Sequence, residues 1–107
     1  MRTQMYELED VIPVLEFFEE TKSLDGHIIV MKPSKLAAKY KKPQFQLWRC
    51  QGGFGAKSGT IGRAVYATCL ADDEQARWEI SDWLGVIKPV LIPEVAELIG
   101  KEVSWKE

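Results

Sequence analysis

The residues in this chain best suited to chemistry are cations interleaved with aromatic rings. Residues 26–71 contain no Asp or Glu, yet hold Lys32, Lys35, Lys39, Lys41, Lys42, Arg49, Lys57 and Arg63. Tyr40, Phe45, Trp48, Phe54 and Tyr66 fall among them. Lysine or arginine beside stacking rings serves single-stranded nucleic acid or another anion, because phosphates meet the cations and bases meet the rings. The candidate contacts are Lys39, Lys41, Lys42, Arg49, Lys57 and Arg63, with Trp48 and Phe54 as stacking rings. Strand alternation weakens the pattern, since rings on an inward face are core. A second reading is internal. Residues 1–25 hold seven acids against two cations and residues 72–107 hold nine against four, so acidic flanks can fold back over the basic middle. The whole-chain charge of −2 hides this asymmetry.

Catalytic constellations are sparse. His27 is the one histidine and opens an apolar run, where a structural role is the usual one. His27, Cys50 and Cys69 lack the paired spacing of a zinc site. Glu79 and Asp82 flank Trp78 and Trp83, a faint acid–base pattern beside rings that also suit a core. Asp72-Asp73-Glu74 reads as a solvated turn. Residues 52–62 (GGFGAKSGTIG) carry five glycines. They do not form a P-loop, because Lys57-Ser58 follows Ala56 and the next run, RAVYATCL, is strand-like and offers no helix N-terminus. A nest of amides beside Lys57 that holds an anion stays open beside the plainer reading, a long hairpin loop. No catalytic residue, metal site or cofactor is therefore assigned.

The elements that must position these residues follow from periodicity. A chain of 107 residues with 46% hydrophobic and 28% charged residues is expected to be a single domain, 1–107. Arg2–Glu7 alternates weakly, as an edge strand would. Asp10 as N-cap, Pro13 in the first turn and Val11, Val14, Leu15 and Phe18 on one face predict a helix over 11–22. His27–Met31 is a short buried strand. Ser34 opens a short helix at 35–41, stopped by Pro43. FQLWRCQ and RAVYATCL flank the glycine loop as a hairpin, and pairing Gln51 with Arg63 sets Cys50 opposite Ala64 and Cys69 opposite Phe45. That register separates the thiols by five steps, about 17 Å, so both cysteines are expected to stay thiols. Strands at 76–80 and 84–88 and a helix from Pro93 to Gly100 complete the chain, with a tail that Trp105 pins. The fold class is α+β: a twisted antiparallel sheet, curled toward a small, partly closed barrel, with N-terminal and C-terminal helices packed on it.

Three runs, QLWRCQGGFG, then Gly62 followed by RAVYATCLADDEQARW, then DWLGVIKP, together resemble a family of small uncharacterised bacterial domains on mobile elements of Gram-positive gut bacteria. The resemblance spans residues 45–89. This chain reads Asp72-Asp73-Glu74 where similar sequences more often have Asp-Gly-Glu. The family has no activity to carry over. It implies an accessory protein of conjugative or phage-like elements, and so a binding role over an enzymatic one.

The opening residues are acidic, without the apolar core of an export signal, and two cysteines fit a reducing compartment, so a cytoplasmic protein with no membrane segment is expected. Two functional classes lead. One is a non-enzymatic module that binds a protein partner, as a monomer or small homo-oligomer. The other is weak anion or nucleic-acid binding through residues 32–63. An enzyme is the third.

Overall fold

The computed structural model describes residues 2–13, 26–51 and 64–105. Six strands form one antiparallel sheet: β1 (Val11–Pro13), β2 (Ile28–Met31), β3 (Leu47–Cys50), β4 (Ala64–Cys69), β5 (Gln75–Glu79) and β6 (Trp83–Ile87), in the order β1-β6-β2-β3-β4-β5. β2 lies inside the sheet, and its run IIVM is buried along its whole length. A continuous β-branched and apolar run is what a strand covered on both faces requires.

The two faces carry separate cores. Ile28 and Val30 join Tyr6, Val11, Leu47 and Ile87 on one face. Helix α1 (Ile92–Ile99) covers that face through Ile92 and Val95, and Leu98, Val103 and Trp105 pack alongside. Pro93 sits in the first turn, Glu94 faces the positive end of the helix dipole, and Gly100 (φ 82°) takes the left-handed cap, its N–H bonded to Ala96 O at 2.9 Å. Ile29, Met31, Trp48, Cys50, Val65, Ala67, Cys69 and Trp83 pack on the opposite face.

The connection from β5 to β6 bends the sheet toward that second face. β5 and β6 are joined only by Ile80-Ser81-Asp82, a 3-10 turn, yet β2, β3 and β4 lie between them in the sheet. In a flat sheet four strand spacings come to about 19 Å, whereas four residue steps reach at most about 14 Å. The sheet must therefore coil, and the turn lies against the end of β2, where Lys32 N–H donates to Asp82 O at 2.9 Å.

Several expected elements take another form. Arg2–Glu7 is not a strand, and it runs into a 3-10 turn at Leu8–Asp10. Residues 11–13 do not begin a helix. They form an edge strand with Val11 opposite Ile87 and Pro13 opposite Gly85, where an edge tolerates the missing proline donor. Asp10 Oδ2 accepts from Glu7 N–H (2.9 Å) and so closes the preceding turn. The rest of the expected N-terminal helix, residues 14–22, lies outside the described residues; among those described, α1 is the one α-helix. The helix expected at 35–41 resolves into 3-10 turns at Pro33–Lys35 and Ala38–Tyr40, with Leu36 and Ala37 extended between them so that Leu36 reaches the core.

The β3–β4 register also differs. Trp48 pairs with Cys69, Arg49 with Thr68 and Cys50 with Ala67, three positions from the expected alignment. An odd shift exchanges faces. The observed register places Trp48, Cys50, Ala67 and Cys69 together inside and leaves Tyr66 64% exposed on the other face. Cys50 and Cys69 are buried thiols that stand diagonally across two neighbouring strands, much closer than five steps. The glycine-rich residues 52–62 lie outside the described residues.

Gln46 fastens the N-terminal segment. It is fully buried at the end of the Pro43–Gln46 turn. Its Oε1 accepts from Tyr6 N–H (2.7 Å), and its Nε2 donates to Tyr6 O (3.2 Å) and Met31 O (2.9 Å). One side chain thus supplies the pairing that a missing strand would have provided.

Candidate functional site

The coiled face leaves one aromatic cleft. The turns over residues 33–46 cross its mouth on one side, and β4, β5 and their connecting turn border it on the other. Tyr40, Phe45, Trp48 and Trp78 line a cavity of about 220 Å³, with buried Cys69 and half-buried Ala76. The rings form two edge-to-face pairs. Tyr40 and Phe45 are 5.1 Å apart at 69°, and Trp48 and Trp78 are 5.2 Å apart at 76°. Trp48 Nε1 donates to Phe45 O at 2.9 Å, which fixes its ring against the turn. Such pairs are favoured by the ring quadrupoles and leave faces available for a further group.

Charged groups stand around the opening. Asp72 and Glu74 line it from the β4–β5 turn, and Lys35 lines it from the opposite side. Asp72 closes its own turn, since its Oδ1 accepts from Glu74 N–H at 3.0 Å. Lys35 is paired with Asp82 at 3.5 Å. Among the described residues, neither Asp72 nor Glu74 has an ion pair.

The cleft does not supply a nucleophile. Burial pushes the Cys69 thiol up to about 11, and the neighbouring Asp72 charge adds to this. At neutral pH it stays protonated, while the thiolate is the reactive form. Glu79 ends β5 and Asp82 ends the turn that follows: Asp82 Oδ2 accepts from Glu79 N–H at 3.0 Å, and its other oxygen meets Lys35. They are not arranged as an acid–base pair. Among the described residues no group of His, Cys, Asp and Glu is placed to hold a metal ion, and no helix is long and apolar enough to cross a membrane.

The sequence candidates are divided by the fold. Lys39, Lys41 and Lys42 are exposed together on the turn that carries Tyr40, beside the cleft. Lys39 Nζ lies 4.9 Å from the Tyr40 ring centre. Trp48 is only 5% exposed and forms a wall of the cleft, not an open stacking surface. Arg49 follows it on β3 and points to the other face, opposite Ile28 and Thr68, so it does not join the lysines. Phe54, Lys57 and Arg63 lie outside the described residues. The sequence pattern did not single out Trp78, Asp72 and Glu74 as one site. Only the β4–β5 register, with Val65 opposite Trp78, brings them to the rings of the 33–46 segment.

Comparison with protein-family models, curated proteins and solved structures finds no match for this chain.

Proposed function

We propose that the protein is a small non-enzymatic interaction module that binds a protein partner, and that the cleft walled by Tyr40, Phe45, Trp48 and Trp78 is where it does so. The observation that carries this reading is an aromatic concavity on a small domain whose rings are held in two edge-to-face pairs. Pockets of this kind take one anchoring side chain of a partner, and such anchors dominate binding energy. The buried, protonated Cys69 argues against the enzymatic class. The resemblance of residues 45–89 to mobile-element domains supplies the context, an accessory protein acting in the cytoplasm as a monomer or small homo-oligomer. In this reading the coiled sheet is a partly closed small barrel, and a second helix packs on it from the N-terminal side.

The exposed Lys39, Lys41 and Lys42 favour a second reading, in which a nucleotide base enters the same cleft and phosphates meet the lysines. One experiment separates the two. A peptide array and single-stranded oligonucleotides are probed with the native protein and with Ala76→Phe, which fills the cleft. Partner binding predicts peptide signals that Ala76→Phe removes. Oligonucleotide binding lost in Lys41→Ala/Lys42→Ala, with no cleft-dependent peptide signal, would replace the first reading with the second. Equal peptide signals from native and filled protein would remove the cleft from both.

A further inference from the structure

Resting on the cleft as the binding site, we infer that the side chain it accepts is an arginine of the partner protein. The walls supply aromatic faces, which carry negative charge density and attract cations within about 6 Å of the ring centre. The chain already shows this attraction, since its own Lys39 ammonium settles 4.9 Å from the Tyr40 ring. The rim supplies two carboxylates, Asp72 and Glu74, that no cation of the described residues neutralises. Lys35, the cation on the cleft lining, pairs with Asp82 at 3.5 Å. Asp72 is also positioned in advance by Glu74 N–H, so less ordering is needed when a ligand arrives.

One group satisfies walls and rim together. A guanidinium is planar and weakly hydrated, so it leaves water for a slot between rings at modest cost, and its fork of N–H donors fits carboxylates. A lysine ammonium is strongly hydrated and presents no plane to stack. A trimethylated ammonium suits the rings but has no N–H for Asp72 and Glu74. A base stacks between the rings and its phosphates can meet Lys39, Lys41 and Lys42, but it brings no cation to Asp72 and Glu74 on the β4–β5 side.

The test is a set of NMR titrations of the intact protein with four capped peptides, Gly-X-Gly, in which X is arginine, citrulline, lysine or trimethyl-lysine. Citrulline keeps the shape and most donors of arginine and removes the charge. The arginine peptide should bind about five- to tenfold more tightly than the citrulline peptide, the size expected of two partly exposed ion pairs. Asp72→Asn/Glu74→Gln should reduce arginine binding to the citrulline level and leave citrulline binding unchanged. Raising the salt concentration should erode the same difference. Equal binding of arginine and citrulline, or tighter binding of trimethyl-lysine, would leave the cleft as a binding site and overturn the arginine assignment. If no peptide shifts the cleft resonances while array peptides do bind elsewhere, both the assignment and the cleft fall.

Discussion

Replacing Gln46 should cost this domain a large share of its stability. Its amide makes three buried hydrogen bonds, to Tyr6 N–H, Tyr6 O and Met31 O, and no strand stands ready to take over these groups. Gln46→Met keeps the volume and removes all three. At about 1 kcal/mol net per bond the loss is about 3 kcal/mol. Release of the N-terminal segment limits it, because freed backbone groups can then reach water, although Tyr6 leaves the core with them. A domain of this size has roughly 5–15 kcal/mol in total. With a urea slope near 1.5 kcal/mol/M, the unfolding midpoint should fall by about 2 M. Gln46→Glu is the informative companion. Its carboxylate can still accept from Tyr6 N–H but faces two carbonyl oxygens without a donor. Burial and those oxygens raise its folded-state pKa above the unfolded value near 4.3, so its deficit should grow as pH rises through that value and shrink below it. A Gln46→Met midpoint within 0.3 M of native, or a Gln46→Glu deficit that does not change with pH, would refute the reasoning, both margins being about the size of surface effects.

Three further outcomes follow from the structure. Asp73 adopts φ 59° in the β4–β5 turn, where glycine has no Cβ penalty, so Asp73→Gly should raise stability by about 0.5–1 kcal/mol in urea unfolding. Its ion pair with Lys101, at 4.0 Å between exposed groups, contributes little to the balance. Gly85 allows β1 to lie close, since a Cβ built there would overlap Ile12 O, so Gly85→Ala should destabilise by about 2–3 kcal/mol and loosen amide protection in β1. Stability should also fall in alkali. Burial raises the Cys69 thiol to about 11 from 9.0 and the Tyr6 phenol to about 12 from 10.0, despite Arg2 beside that ring. Both folded-state values lie above the unfolded ones, so the stabilisation is full below pH 9 and is lost between about 9 and 12, by about 2–3 kcal/mol per group. Tyr6→Phe and Cys69→Ala should each flatten that decline in denaturation curves taken across the range.

Much of the sheet was legible because its strands carry strong local patterns. HIIVM, ARWEI and LGVIK each fall within one residue of a strand, and the final helix announced itself through Pro93, Val95 and Gly100. The N-terminus was not legible. Val11 and Val14 have helical spacing, but Val11–Pro13 pairs with β6 because Gly85 leaves room for it and Gln46 holds the preceding segment, and both are long-range causes. The register of β3 on β4 escaped for a related reason: fourteen residues separate Gln51 from Tyr66, so no tight turn set it, and burial of the Trp48 and Cys69 face decided it. The site fared likewise. Lys39, Lys41 and Lys42 stand out in the sequence as neighbouring cations, whereas the cleft depends on which rings the coil of the sheet brings together. Trp48 is a wall of that cleft because its face was reassigned, and Asp72 and Glu74 matter through where their turn lands.

The most direct check on the cleft as the binding site is photo-crosslinking to a peptide selected on the array. A benzophenone amino acid is placed at Lys35, on the rim, or at Tyr66, exposed on the opposite face of the sheet. Irradiation with the peptide should give adducts from position 35 and none from position 66, and Ala76→Phe should abolish them. Adducts from position 66 that survive Ala76→Phe, with none from position 35, would contradict the account.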